Sequence, residues 1–146
     1  MKAIIIKLAT RNEDGGTQDV PGWLVPDTED LFGIDMRIEC DMEAIPPQPP
    51  VWVITHLPTG MAVRNGEYTR AGSNFHACGV AQRFYQQYKT HGWELNTKDP
   101  AVILEPFKKL TQAQKVYFWE KVATTPIEIE PEMTPPTSSS APSEMP

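Results

Sequence analysis

Residues 32–42 read FGIDMRIECDM, and along this stretch apolar side chains alternate with other residues, most of them charged. A period of two places successive side chains on opposite faces of an extended strand. The pattern predicts a long strand of an antiparallel sheet with one buried face and one solvated face. The predicted buried row comprises Phe32, Ile34, Met36, Ile38, Cys40 and Met42. The predicted solvated row comprises Asp35, Arg37, Glu39, Asp41 and then Glu43.

Further strand patterns lie on both sides of this stretch. Residues 2–9 (KAIIIKLA) are rich in isoleucine, which favours a pleated and buried setting. Residues 51–56 (VWVITH) and 61–64 (MAVR) predict a hairpin, because residues 57–60 (LPTG) place proline and glycine where a turn needs them. The first arm of this hairpin is apolar on both faces, which predicts a central strand.

A helix is predicted after the hairpin. Ser73 or Asn74 suits its N-cap, the apolar pattern continues to about Tyr88, and Gly92 suits its C-terminal end. The apolar residues recur at helical spacing and predict one buried stripe. This stripe comprises Ala77, Val80, Ala81, Phe84, Tyr85 and Tyr88.

A second helix is predicted from about Thr111, which stands in capping-box spacing with Gln114. Its predicted buried face leaves Phe118 exposed. That face comprises Ala113, Val116, Trp119 and Ala123. Residues 101–104 (AVIL), between the two helices, fit either a fourth strand or a short buried turn, and periodicity does not separate the two.

Strands followed by helices predict an α+β fold, with an antiparallel sheet of three to five strands and two helices packed on one face. Residues 1–123 are enough for a single domain with one core. Residues 124–146 are rich in proline, serine, threonine and glutamate and contain no aromatic residue. This composition predicts a disordered C-terminal tail.

The net charge of −6 and the pI near 5.0 disfavour contact with nucleic acid or an anionic membrane. The acidic excess is concentrated in residues 1–70, which hold 6 basic and 11 acidic residues. No apolar run approaches the length of a membrane span or of a signal-peptide core. The two cysteines lack a CxxC spacing, which favours reduced thiols. We therefore expect a cytoplasmic protein.

The acidic row provides the first candidate binding surface: Asp35, Glu39, Asp41 and Glu43. Regularly spaced carboxylates suit a protein partner with a basic surface. The same row also fits an ordinary solvated strand face or, less well, a hard cation. Arg37 in the middle of the row counts against a metal site, and we predict neither a metal nor a cofactor.

The loop at residues 64–76 provides the second candidate site. Tyr68, Arg70 and Asn74 precede or begin a helix, and helix N-termini bind anions. With His56 within reach, this loop could hold a small anion or a nucleotide. Its glycines do not match a phosphate-binding loop, and a simple capping loop explains the same residues.

The remaining histidines and cysteines give no zinc-ligand spacing. Cys78 lies near the start of the first helix, where the helix dipole is expected to lower the pKa of its thiol. Without a nucleophile motif around it, a structural role is favoured for Cys78, and also for Cys40 on the predicted buried row.

Residues 51–63 (VWVITHLPTGMAV) resemble hairpins in short proteins of phage and other mobile genomes. This resemblance covers a small part of the chain, defines no family and implies no activity. The first functional hypothesis is a small, acidic, non-enzymatic interaction or regulatory protein. The alternative is a small-ligand protein, or an enzyme of unfamiliar type, with its site at residues 64–76. A third is an assembly role with the tail as a tether.

Overall fold

The computed structural model describes residues 1–9, 16–37 and 51–123. The strands in these ranges are β1 (Ala3–Ala9), β2 (Thr17–Leu24), β3 (Phe32–Arg37), β4 (Val51–His56) and β5 (Met61–Val63). A short 3₁₀ turn, Gly66–Tyr68, precedes the helices α1 (Asn74–His91), α2 (Pro100–Lys108) and α3 (Gln112–Ala123). The predicted α+β class is confirmed, with three helices in the described part where the sequence predicted two.

The five strands form one antiparallel sheet in the order β1-β2-β3-β4-β5. The predicted hairpin and the central position of its first arm, β4, are confirmed. The sheet curls, because the amide of Ala9 at the end of β1 donates to the carbonyl of Gly60 in the β4–β5 turn, at 2.9 Å. Gly60 has a φ of +71°, and a Cβ there would lie 2.8 Å from the Ala9 nitrogen. Glycine therefore permits both the turn and its contact with β1.

The curl gives the sheet an inner and an outer face. Ile6 is fully buried on the inner face, where it packs against Gly22 and Gly33. A Cβ atom added to Gly22 would lie 2.4 Å from the Cδ1 of Ile6, and one added to Gly33 would lie 3.0 Å from it. On the outer face, α1 packs against β3, β4 and α3. The main core forms between Ile34 and Ile54 of the sheet and the aromatic side chains of the helices.

The strand β3 keeps the predicted alternation of faces but not the predicted burial of each face. Phe32 and Ile34 are buried as predicted, whereas Met36 on the same face is 56% exposed. Asp35, predicted to be solvated, is only 2% exposed. The helices cover one end of the outer face, and the curl of the sheet encloses Asp35 on the inner face, so neither face is uniform.

Several predictions of the sequence lie outside the described residues. They include the end of the predicted long strand, with Glu39, Asp41 and Glu43, and the tail at 124–146. The extent of that strand, the disorder of the tail and the domain boundary at residue 123 therefore stay predictions.

The helix α1 agrees with its prediction at both ends and along its stripe. The hydroxyl of Ser73 accepts from the amide of His76 at 3.1 Å, which makes Ser73 the N-cap. At the other end, Gly92 adopts a left-handed conformation with a φ of +69°, where glycine is favoured. All six residues of the predicted stripe are buried.

Residues 101–104 belong to α2 and form neither a strand nor a turn. The carboxylate of Asp99 caps this helix by accepting from the amide of Ala101 at 3.0 Å, and Pro100 occupies the first helical position. Proline suits that position because its missing N–H would have no helical partner there. The apolar run at residues 101–104 is too short to indicate a helix by its pattern. The preceding pair Asp99-Pro100, a capping residue followed by proline, is the signal for the start of this helix.

The predicted capping box of α3 is confirmed, since the Thr111 amide donates to Gln114 Oε1 at 2.7 Å and the Gln114 amide donates to Thr111 Oγ1 at 3.2 Å. The predicted buried face of this helix is wrong. Val116 is 37% exposed, whereas Phe118 is fully buried. The helix is turned so that the larger Phe118 ring enters the core, and its buried residues are Gln114, Tyr117, Phe118 and Val122.

Candidate functional site

One end of the outer sheet face is left open by the helices and carries adjacent apolar side chains. The strand register places Ile5 opposite Pro21 and Met36 opposite Trp52, with Trp23 between them on β2. Ile5 is 62% exposed and Trp23 is 37% exposed. We call these five residues the open apolar face.

The pairing between β2 and β3 is short at this end of the sheet. Only Trp23 and its neighbour in β2 pair with β3. Pro21 has no N–H to donate, so the ladder to β3 does not continue past it. The rings of Trp23 and Trp52 meet across β3 with their centroids 5.5 Å apart. The backbone of Trp52 is fixed in turn, because its amide donates to the Ala71 carbonyl at 2.9 Å.

The open apolar face has a polar border. On the same side of the sheet, beyond Ile5 and Pro21, β1 and β2 place Lys7 directly opposite Asp19, and both residues are exposed. An apolar centre that contains tryptophan and methionine, bordered by charged side chains, has the composition of a protein-binding surface.

Asp35, the first member of the predicted acidic row, forms an ion pair inside the fold. Arg37 Nε donates to Asp35 Oδ2 at 2.8 Å, and Arg37 Nη2 donates to Asp35 Oδ1 at 3.2 Å. This two-pronged geometry is the strong form of a carboxylate–guanidinium contact. The carboxylate of Asp35 is therefore committed to Arg37, and its predicted place in a solvated acidic surface is wrong.

His56 is buried and holds the hairpin against the segment that follows α1. Its Nε2 lies 2.7 Å from the carbonyl oxygen of Leu95, so Nε2 carries the hydrogen and donates it. In this neutral tautomer Nδ1 accepts from the hydroxyl of Thr59, at 2.9 Å. Burial lowers the pKa of His56, and the hydrogen bond to Leu95 opposes part of that effect. Both ring nitrogens are thus engaged in structural hydrogen bonds.

The other residues predicted to form a site with His56 do not gather around one cavity. Arg70 lines a groove of about 230 Å³ together with Glu67, and their charged groups are 4.0 Å apart. Asn74 lines a different groove, and its side chain accepts from the amide of Phe75 at 2.9 Å. Tyr68 is half-buried in the 3₁₀ turn. His56 lines a third cavity.

That third cavity lies between the β4–β5 hairpin and the helices, and we call it the hairpin cavity. Its volume is about 340 Å³. Its apolar walls include Met61, Val63, Phe84, Tyr88, Ile103, Leu104, Phe107 and Trp119. Sequence reasoning missed this cavity because one wall is α2, which the pattern of residues 101–104 did not reveal.

Cys78 is half-buried on α1, and its thiol lies 3.2 Å from the sulfur of Met1. Burial raises the pKa of this thiol, opposite to the direction predicted from the helix dipole, while the N-terminal amino group opposes the rise. Cys40 lies outside the described residues. Within the described ranges, no three histidine, cysteine or acidic side chains come together in a way that could hold a metal ion.

Comparison of the chain with protein-family models, with curated proteins and with solved structures found no match. Among the helices of residues 1–9, 16–37 and 51–123, none is long and apolar enough to span a membrane.

Proposed function

We propose that this protein is a small non-enzymatic interaction protein that binds a protein partner through the open apolar face. The observation that carries the proposal is the exposure of Ile5 and Met36 beside two tryptophans on one rigid sheet. Adjacent exposed apolar side chains mark interaction surfaces, and tryptophan and methionine are enriched in them. The strands fix the backbone of these residues, so little backbone entropy is lost when a partner binds.

Charge supports a partner with a basic surface. The chain carries a net charge of −6, and most of the acidic excess lies in residues 1–70, which contain all of the open apolar face. Complementary charge raises the rate of association, whereas buried apolar contacts slow dissociation. The proposal thus keeps the protein partner expected from the sequence and moves the contact from the acidic row to the apolar face.

The hydrogen bonding of two polar residues at the hairpin cavity supports binding over catalysis. His56 donates to the carbonyl of Leu95, and the hydroxyl of Tyr88 donates to the carbonyl of Ile103 at 2.6 Å. Burial raises the pKa of Tyr88, so its phenol stays protonated. A general acid or base must be able to exchange a proton with a substrate, and these hydrogen bonds engage both groups.

A cytoplasmic location and an origin in a phage or other mobile element are parts of the same proposal. The first is supported by the absence of a cysteine framework of the kind found in small secreted domains. The second is supported by the resemblance of residues 51–63 to hairpins of mobile genomes. Nucleic acid is not the proposed partner, because the acidic chain would repel phosphates.

The test is to capture partners from an extract of the source cells with the wild-type protein and with two variants. The double variant Ile5→Thr/Met36→Thr removes apolar surface and keeps residues that suit strands. Val116→Thr is the control, because Val116 is an exposed apolar residue on α3, outside the open apolar face. We expect the control to retain the partner and the double variant to bind it at least about fivefold more weakly, since loss of apolar contacts at an interface costs about 1 kcal/mol or more.

A titration of the captured partner at two salt concentrations tests the role of charge. Higher salt should slow association with the wild-type protein, because it screens exposed charges. If the double variant binds as tightly as the wild-type protein, the open apolar face is not the contact surface. If the association rate is the same at both salt concentrations, the partner is not recognised through charge. The proposal of a basic partner surface is then wrong, and only the proposed apolar contact remains.

A further inference from the structure

The hairpin cavity combines an apolar interior with a cationic border. Met61 and Val63 of β5 face Ile103 and Leu104 of α2 across it, and Trp119 of α3 contributes an aromatic wall. Its volume of about 340 Å³ lies within the range of sites for small organic molecules. An apolar body of that size would be withdrawn from water on entering the cavity.

Among residues 1–9, 16–37 and 51–123, the charged residues that line this cavity are Arg64 and Lys115, and none of these residues places a carboxylate side chain there. Lys115 is half-buried on α3, and its ammonium group makes no ion pair within the described part of the chain. An ammonium group at the edge of an apolar cavity attracts an anion, because a counter-charge there lowers the electrostatic energy of the pair.

The neutral polar groups of the cavity are already engaged. His56 bonds to Thr59 and Leu95, and Tyr88 bonds to Ile103. They therefore form part of the wall, and the charge on Lys115 provides polar recognition at the border. Such a site distinguishes an anion from a neutral molecule of the same shape.

From this arrangement we infer that the hairpin cavity binds a small organic anion with an apolar body, of the class of medium-chain or aromatic carboxylates. The apolar body lies between β5, α2 and Trp119, and the carboxylate lies beside Lys115. This site is separate from the open apolar face, which lies on β1 to β4. The two proposals can therefore fail independently.

The probes are octanoate, n-octanol and octylamine, which share one apolar chain and differ in the charge of the head group. Each is titrated into the full-length protein below its micelle concentration and followed by methyl NMR of Met61, Ile103 and Leu104. We expect saturable shifts at these methyl groups, with octanoate binding more tightly than n-octanol and octylamine binding weakest.

The variant Lys115→Met keeps the length of the side chain and removes its charge. We expect it to weaken octanoate binding by about tenfold, the scale of a charge-assisted contact, and to leave n-octanol binding unchanged. Lys121→Met is the control, because Lys121 lies on the same helix over the ring of Tyr117 and does not line the cavity. Ile5→Thr/Met36→Thr should bind octanoate like the wild-type protein.

Three results would overturn the inference. The first is an absence of saturable shifts at the three methyl groups with any of the probes. The second is equal affinity for octanoate and n-octanol together with no effect of Lys115→Met. The third is equal weakening by Lys115→Met and Lys121→Met, which would assign the effect to the general charge of α3.

Discussion

Replacing Phe118 by alanine should strongly destabilise the fold, although the sequence pattern alone predicts an exposed position for this residue. Phe118 is fully buried, and truncation of a buried phenylalanine costs about 3–5 kcal/mol. Its ring also packs edge-on against the rings of Phe107 and Phe84. The distances between ring centroids are 4.6 Å and 5.7 Å, respectively. Because aromatic pairs of this kind add about 0.5–1.5 kcal/mol beyond area burial, we expect a loss in the upper half of that range.

The matched control is Val116→Ala on the same helix. Val116 is partly exposed, and alanine has a higher helix propensity than valine, so the loss of contacts and the gain in propensity nearly cancel. We expect a change below about 0.5 kcal/mol in the free energy of unfolding. Urea denaturation of both variants, followed by circular dichroism, measures the two values.

The same experiment can refute the orientation of α3. Should Val116→Ala cost as much as Phe118→Ala, or more, the helix would bury the face that contains Val116. The lining of the hairpin cavity by Lys115 and Trp119 would then also be wrong, because both residues would turn with the helix.

Three further outcomes are expected. Asp35→Asn should lower the free energy of unfolding by about 1–3 kcal/mol in urea titrations, because Arg37 loses its buried carboxylate; an unchanged value would contradict the ion pair. The folded-state pKa of His56 lies below its ordinary 6.5, so the unfolded chain binds the proton more readily and stability is lost as the pH falls below about 6.5. His56→Gln should reduce the stability difference between about pH 7.5 and pH 5.5, and the exposed control His76→Gln should not; equal slopes in the wild-type protein and His56→Gln would contradict this. Truncation after Ala123 should change stability by less than about 0.5 kcal/mol, and a loss of several kcal/mol would show that residues 124–146 pack against the domain.

Local signals in the sequence predicted much of the fold correctly. The turn at residues 57–60, the N-cap at Ser73 and the C-terminal Gly92 each follow from the backbone preference of one or two residues. The stripe of α1 is also local, because six apolar residues at helical spacing leave one choice of buried face. Such features can be predicted because they need no knowledge of distant contacts.

The errors concern burial, which depends on what packs against each face. Asp35 and Met36 lie on opposite faces of β3, as a strand requires. The curl of the sheet buries Asp35, whereas the helices do not cover Met36. On α3, the face with Val116 and the face with Phe118 are both apolar. The structure buries the face with Phe118, whose ring contacts Phe84 and Phe107. Both outcomes are set by tertiary packing, which periodicity does not contain.

The candidate sites were harder to predict than the fold. His56 and Arg70 are close enough in sequence to suggest one site, yet β5 separates their surroundings into different cavities. The hairpin cavity depends on α2, whereas the pattern of residues 101–104 predicts only a strand or a short turn. The open apolar face depends on where the helices pack on the sheet, which leaves Ile5 and Met36 exposed. Each of these is a consequence of how elements meet.

The central claim is that a protein binds the open apolar face, and site-specific photo-crosslinking tests it most directly. A benzophenone amino acid is placed at Met36 in one protein and at Val116 in another, and both are irradiated in the source cells. We expect a discrete protein adduct from position 36, reduced when Ile5→Thr is added, and none from position 116. An adduct at neither position, or equal adducts at both, would contradict the claim.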